Sequence, residues 1–127
     1  MAGAHKRKAY FKGILAEYVA IAYVRLKGYR IRERRFKCAF GEIDVIAQKA
    51  DLIVFIEVKI RKTLEEAASS ILRPQQLRIT RAANWYISRR LANDLARQLD
   101  YSFRFDTILL VPWKWPCHIQ DAWQEES

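Results

Sequence analysis

Three charged side chains, Asp44, Glu57 and Lys59, interrupt two runs that otherwise read as β-strands, Gly41-Glu42-Ile43-Asp44-Val45-Ile46 and Phe55-Ile56-Glu57-Val58-Lys59. β-branched and aromatic residues dominate both runs. The link between them, Ala47 to Leu52, passes from apolar to polar and back, as a hairpin does. With a two-residue loop at Ala50-Asp51, Asp44 stands opposite Glu57, the two side chains on one face about 5 Å apart. A four-residue loop keeps that pairing and a three-residue loop breaks it. Lys59, two residues on, shares the face. Phe55 and Ile46 share it too, so it is not a solvated face. Two carboxylates side by side in an apolar setting destabilise each other. A hard divalent cation such as Mg²⁺ relieves this by taking carboxylate oxygens. A lysine beside them can position or deprotonate a water. The alternative is a surface hairpin whose three charges form an ion-pair network.

The elements around the hairpin must hold it in place. Residues 1–9 read as a loose basic arm and 10–127 as one domain, a length that supports a single core. From Phe11 to Lys27 the pattern is helical, with Ile14, Leu15, Tyr18, Val19, Ala22 and Leu26 at three- and four-residue steps. Ala20, Ile21 and Val24 make the other side apolar, so the helix is expected to be largely buried, with Gly28 as its stop. Glu17 sits in its middle. It is either a boundary glutamate paired with an arginine or a support for a metal site. Tyr29 to Lys37 alternates, with Arg30, Arg32 and Arg34 on one face. That face is either the charged guard of an edge strand or a rail for phosphates. Residues 63–70 read as a flexible loop beside the site.

Pro74 is placed to open a helix running to about Leu91, with Ile79, Ala82, Ala83, Tyr86 and Ile87 toward the core. Arg78, Arg81, Trp85 and Arg89 fall on its opposite side. The arginines there could hold phosphates, and Trp85 could stack on a base or pack against residues 93–100, a short helical extension or loop. Phe103 to Val111 is a near-continuous apolar strand ended by Pro112, expected to be central and buried on both faces. A last short strand or turn follows around Cys117 to Trp123. His118 is read as structural. The chain carries 23 Lys and Arg against 14 Asp and Glu, a net charge of +9 that favours a polyanionic partner. There is no run of eighteen apolar residues, no signal-peptide pattern and no zinc spacing at the two cysteines. A cytoplasmic location without a membrane partner is expected.

Asp44 followed by Glu57-Val58-Lys59 on the next strand resembles the PD-(D/E)xK nuclease core. The wording Gly-Glu-Ile-Asp-Val-Ile with Phe-Ile-Glu-Val-Lys-Ile-Arg resembles one branch closely: the YraN family of proposed endonucleases, related to Holliday junction resolvases. The resemblance extends from about Gly13 to Trp123. Gly13-x-x-Ala16-Glu17-x-x-Ala20 and Arg104-Phe105-Asp106 match it. Two positions depart, Arg34 where the family commonly has asparagine and Gln75 where it often has lysine.

The resemblance implies an α/β fold with a restriction-endonuclease-like core, a mixed β-sheet flanked by helices in the order α-β-β-β-α-β. It implies a Mg²⁺- or Mn²⁺-dependent endonuclease acting on DNA, at branched or structured sites. Asp44, Glu57 and the backbone carbonyl of Val58 would ligate the metal, and Glu17 would bind it directly or through water. Lys59 would activate the attacking water or stabilise the transition state. Arg61 would touch a phosphate, and Gln76, matched in the family, would orient a phosphate or water. Asp106 is expected to be structural, holding an arginine. A homodimer stays open. The competing expectations are a nucleic-acid-binding module of nuclease fold without hydrolysis, and a basic adaptor for acidic protein or RNA.

Overall fold

The computed structural model describes residues 2–70, 72–91 and 101–124. A 25-residue helix, α1 (Ala2–Leu26), leads into three strands, β1 (Arg30–Cys38), β2 (Gly41–Lys49) and β3 (Leu52–Ile60). Two helices follow, α2 (Leu64–Ser69) and α3 (Arg73–Arg90), then β4 (Ser102–Leu110) and β5 (Cys117–Trp123). The strands form one sheet in the order β1-β2-β3-β4-β5. All neighbours are antiparallel except β3 and β4, which run parallel because α2 and α3 carry the chain back across the sheet. The result is an α/β fold with a mixed five-stranded sheet flanked by helices.

The hairpin has the expected register. Its loop is Ala50-Asp51, and Lys49 pairs with Leu52, Ile46 with Phe55 and Val45 with Ile56. Ala50 takes a left-handed φ of 52°, the positive φ that two-residue hairpin loops favour. The ladder stops at Val45–Ile56, so the next pair, Asp44 and Glu57, is not joined by backbone hydrogen bonds.

One face of the sheet packs on α3, through Ile43, Ile46, Phe55 and Phe105 against Ile79, Ala82, Ala83 and Tyr86. The other packs on α1, through Val45, Val54, Ile56 and Ile108 against Ala16, Ala20, Ile21 and Val24. This corrects the expectation for α1. The small residues face the sheet because they let the helix come close, and Leu15, Tyr18, Val19 and Leu26 are left exposed. The helix ends where expected. Gly28, at φ 95°, donates its N–H to the Arg25 carbonyl and Tyr29 N–H reaches the Val24 carbonyl, which is a Schellman cap. At its other end α1 runs back through residues 2–9, the stretch expected as a loose arm, so no change of secondary structure marks that boundary. Gly3 disfavours a helix there, but alanines recur at 2, 4 and 9 and no proline interrupts it.

The stretch expected as a flexible loop contains α2. Thr63 caps it by accepting the Glu66 N–H at 3.1 Å, and Ala67 is buried against Leu109 and Val111. The Thr63-x-x-Glu66 spacing is a capping box that periodicity alone overlooks in so short a helix. β4 is buried from Phe105 to Leu110 between β3 and β5, as its apolar run predicts. Residues 93–100 lie outside the described residues. Among the described residues, no helix is long and apolar enough to cross a membrane.

Candidate functional site

Where the β2–β3 ladder ends, the strands part and a side chain takes over the backbone pairing. Asp44 Oδ2 accepts the Val58 N–H at 2.8 Å. In an extended strand a residue's N–H and C=O point the same way, so the Val58 carbonyl faces the same opening. Glu57, on the next position of β3, is buried, with 4% of its surface exposed. Its Oε1 accepts from Lys59 Nζ at 2.9 Å and from Gln75 Nε2 of α3. Lys59 Nζ also donates to Gln75 Oε1 at 3.1 Å. The three side chains close a small ring that fixes the carboxylate.

Its second oxygen is different. Glu57 Oε2 is buried and has no hydrogen-bond partner among the described residues, and neither has Thr107 Oγ1 on β4, which pairs with Glu57 across the parallel ladder. Buried polar atoms are nearly always satisfied, and an orphan carboxylate oxygen costs free energy. Asp44 and Glu57 line one cavity of about 360 Å³ with Gly41, Glu42, Gln75 and Arg78. Gly41 enters β2 here at φ 155°, a conformation that side chains rarely adopt, while a Cβ would meet that of Arg78 at an ordinary 3.4 Å.

The Asp44 carboxyl titrates at about 6 rather than in the usual carboxylate range. Burial is the main cause. The Val58 N–H opposes it, the nearby charges of Glu57 and Glu17 push the same way as burial, and Lys59 pulls back. Two close carboxylates, one protonating near neutrality and one with an idle oxygen, are a donor set that suits a hard divalent cation. Glu17, whose charge is also felt by Asp44, is engaged by an arginine. Its Oε2 accepts from Arg35 Nε at 2.6 Å, the boundary-glutamate alternative. Among the described residues, no group of three His, Cys, Asp or Glu side chains could hold a metal ion.

The other expected site residues are dispersed. The basic face of β1 is split by a bulge between Ile31 and Glu33, where an extra residue turns the strand. Arg30 and Arg32 converge on Gln48 Oε1, at 2.9 and 2.6 Å, and Arg32 also donates to the Tyr86 hydroxyl. Arg34 is turned to the α1 side and stacks over Tyr18, 4.5 Å from the ring centre. The expected rail of three arginines is therefore a pair and an outlier. Arg61 is exposed beyond β3 and donates to the Ile60 carbonyl. Arg78 lines the carboxylate cavity.

Gln76 does not reach that cavity. With Arg81 it lines a separate hollow beside Thr80 and Trp123, and its own carbonyl accepts the Thr80 hydroxyl. Gln75 is the glutamine that reaches Glu57. It precedes Ile79 and Ala83 by four and eight residues, and that spacing alone places it on the core face of α3. Trp85 packs against Phe36, ring centres 5.7 Å apart, and Arg89 lies over its ring at 5.9 Å.

Asp106 and His118 form a separate buried cluster. Arg104 grips Asp106 with two hydrogen bonds of 2.7 Å, His118 Nε2 donates at 2.7 Å and the Asp121 N–H at 3.0 Å. Lys27 Nζ, which can only donate, lies 2.8 Å from His118 Nδ1, so the ring proton sits on Nε2. Asp106 has its acceptor positions taken up by this network.

The profile of the uncharacterised protein family UPF0102 matches residues 16–110. That span holds Asp44, Glu57, Lys59, Gln75 and Asp106. A UPF0102 protein of Mesorhizobium japonicum is 44% identical over 122 residues, covering 94% of this chain and 91% of the relative. One of Bartonella tribocorum is 43% identical over 117 residues, covering 90% and 84%. One of Rhizobium meliloti is 41% identical over 117 residues, covering 92% of each. The chain thus belongs to the uncharacterised protein family UPF0102, the family its motifs resemble under the name YraN.

Proposed function

We propose that this protein is a metal-dependent endonuclease that hydrolyses DNA phosphodiester bonds, built on a restriction-endonuclease-like core. The observation that carries this reading is the unpartnered, buried Glu57 Oε2 beside a second carboxylate, Asp44, whose proton is held to about pH 6. A fold without a use for that oxygen gains nothing by burying it.

Asp44 Oδ1, Glu57 Oε2 and the Val58 carbonyl would hold Mg²⁺ or Mn²⁺, with Glu17 contributing at most through water, since Arg35 holds its carboxylate. When bound, such an ion makes an attacking water more acidic and offsets charge on the transferring phosphate. The rest falls to the chain. The Val58 N–H fixes Asp44 so that one oxygen stays turned to the cavity. Gln75 and Lys59 hold Glu57 by one oxygen and leave the other free. Lys59 brings the positive charge that the phosphate acquires a need for as it becomes pentacovalent. Arg78, which lines the cavity wall, would take a phosphate oxygen. The net charge of +9 supports a nucleic-acid substrate. With several phosphates contacted, affinity falls roughly tenfold or more between about 50 and 200 mM salt.

The test is cleavage of a panel, linear duplex, single strand, flap and four-way junction, with Mg²⁺, Mn²⁺ or EDTA, by wild type and Asp44→Ala. Metal-dependent cutting that Asp44→Ala abolishes is expected. Binding of every substrate with cutting of none would turn the assignment to a non-catalytic binding module.

A further inference from the structure

The candidate cavity does not use the aromatic turn at the other face of the same sheet end. Beyond β4, the sequence Val111-Pro112-Trp113-Lys114-Trp115-Pro116 makes a tight turn, closed by the Lys114 N–H on the Val111 carbonyl at 3.2 Å. Trp113 is fully exposed and Trp115 nearly so. Two bare indoles one residue apart are rare on a protein surface, because each exposes a large apolar area to water. Trp113 also takes a left-handed φ of 65°, which a bulky side chain adopts only at a cost, and strain of this sort gathers at functional turns. Beside the turn, which lends it Pro112, Lys114 and Pro116 but neither indole, lies an apolar groove of about 650 Å³ lined also by Leu15, Val19, Ile60 and Leu110. Among the described residues, three cations, Arg61, Lys62 and Lys114, line it with one acid, Glu66.

The rim decides what fits. A second copy of this chain, itself at +9, would bring like charges together around the groove. A polyanion with flat apolar faces meets both features, the cations taking phosphates and the indoles taking bases. In a duplex the bases are stacked on each other and offer no face to an indole, so the bases must be unpaired. We infer that the Trp113-Lys114-Trp115 turn and its groove bind an unpaired nucleic-acid strand by stacking. This rests on the nucleic-acid half of the proposed function and not on hydrolysis.

Position links the two sites. Arg61 follows Glu57 by four residues, about 13 Å along an extended chain, and its N–H is bonded to the Leu110 carbonyl at the base of the turn. The carboxylate cavity opens on the α3 face and the groove on the α1 face of the same sheet end. A substrate in which a duplex meets an unpaired strand can occupy both, the scissile phosphate on one side and the loose strand on the other.

The test measures binding without chemistry. Fluorescein-labelled oligothymidylate and a blunt duplex of equal length are titrated by anisotropy in EDTA, against wild type, a Trp113→Ala/Trp115→Ala double variant and a Trp113→Phe/Trp115→Phe pair. Both positions are exposed, so the fold is not at stake, and melting temperatures check this. The alanine variant is expected to lose at least about tenfold in affinity for oligothymidylate and under about threefold for the duplex. The phenylalanine pair should recover most of the loss, because it keeps the stacking faces. Equal loss on both ligands, or no loss on either, overturns the inference. So does a wild-type dimer in sedimentation that the alanine variant dissociates with oligothymidylate binding unmoved, which would give the turn to a second copy. The chemistry fails separately: tryptophan-dependent binding with no metal-dependent cutting removes hydrolysis and keeps the stacking site, and cutting indifferent to the tryptophans does the reverse.

Discussion

β3 and β4 lie side by side and each buries a carboxylate, but the fold treats the two oppositely. Asp106 on β4 is wholly buried and fully satisfied by Arg104, His118 and the Asp121 N–H. Burial alone would raise its pKa, but the hydrogen bonds from His118, Arg104 and Asp121 outweigh burial and hold it below the usual carboxylate range. Glu57 on β3 keeps an idle oxygen, and Asp44 beside it is pushed up to about 6. Both carboxylates have a cation at hand, so charge alone does not separate the regions. The number of donors does. Asp106 has every acceptor site used and is committed to the fold, whereas Glu57 and Asp44 are held by one oxygen each and leave acceptor capacity for something else.

If that contrast is right, the largest effect belongs to Asp106. Asp106→Ala should strip Arg104, His118 and the Asp121 N–H of their shared partner and destabilise the protein by about 3–5 kcal/mol. Chemical denaturation measures it, and a loss under about 1 kcal/mol would erase the distinction. Lys59→Ala comes next. It strips the buried Glu57 carboxylate of its cation and should lower the melting temperature, while DNA affinity stays nearly unchanged and single-turnover cleavage at saturating enzyme falls about a hundredfold. Cutting at the wild-type rate would make Lys59 a mere counter-ion of Glu57.

Asp44→Asn should stabilise the metal-free protein. With a folded pKa near 6 against an ordinary 3.8, the folded state binds more protons than the unfolded chain between those values. Stability therefore falls as pH rises from about 4 to 6 and stays lower above. Removing the charge returns this, at most about 3 kcal/mol at pH 8 and far less at pH 4. Thermal melts of both proteins in EDTA across that range decide it, and a gain that is constant with pH would mean that Asp44 carries no such strain. The smallest effect is expected at Gln75. Gln75→Ala removes one of the two donors to Glu57 Oε1 without removing a charge, so cleavage should drop only about threefold to tenfold, the loss of a positioning hydrogen bond. A drop as deep as that of Lys59→Ala would place Gln75 at the reacting phosphate.

The sequence by itself determined the hairpin. Period-two alternation with an even loop buries Ile46 and Phe55 together and brings Asp44 and Glu57 to the same place, and the structure fixed that loop as Ala50-Asp51. It also determined the stop at Gly28, the core face of α3 and the buried strand β4, since each depends on neighbours a few residues away. Only the tertiary structure decided which face of α1 is buried. Both faces are apolar in sequence, and the choice of Ala16, Ala20 and Val24 over Leu15 and Leu26 depends on how closely the helix can approach the sheet. It likewise decided that Glu17 answers to Arg35, that a bulge separates Arg34 from Arg30 and Arg32, and that Gln75 rather than Gln76 meets Glu57. Those are pairings between elements far apart in the chain, and local periodicity carries no information about which distant partner fills a side chain's last hydrogen bond.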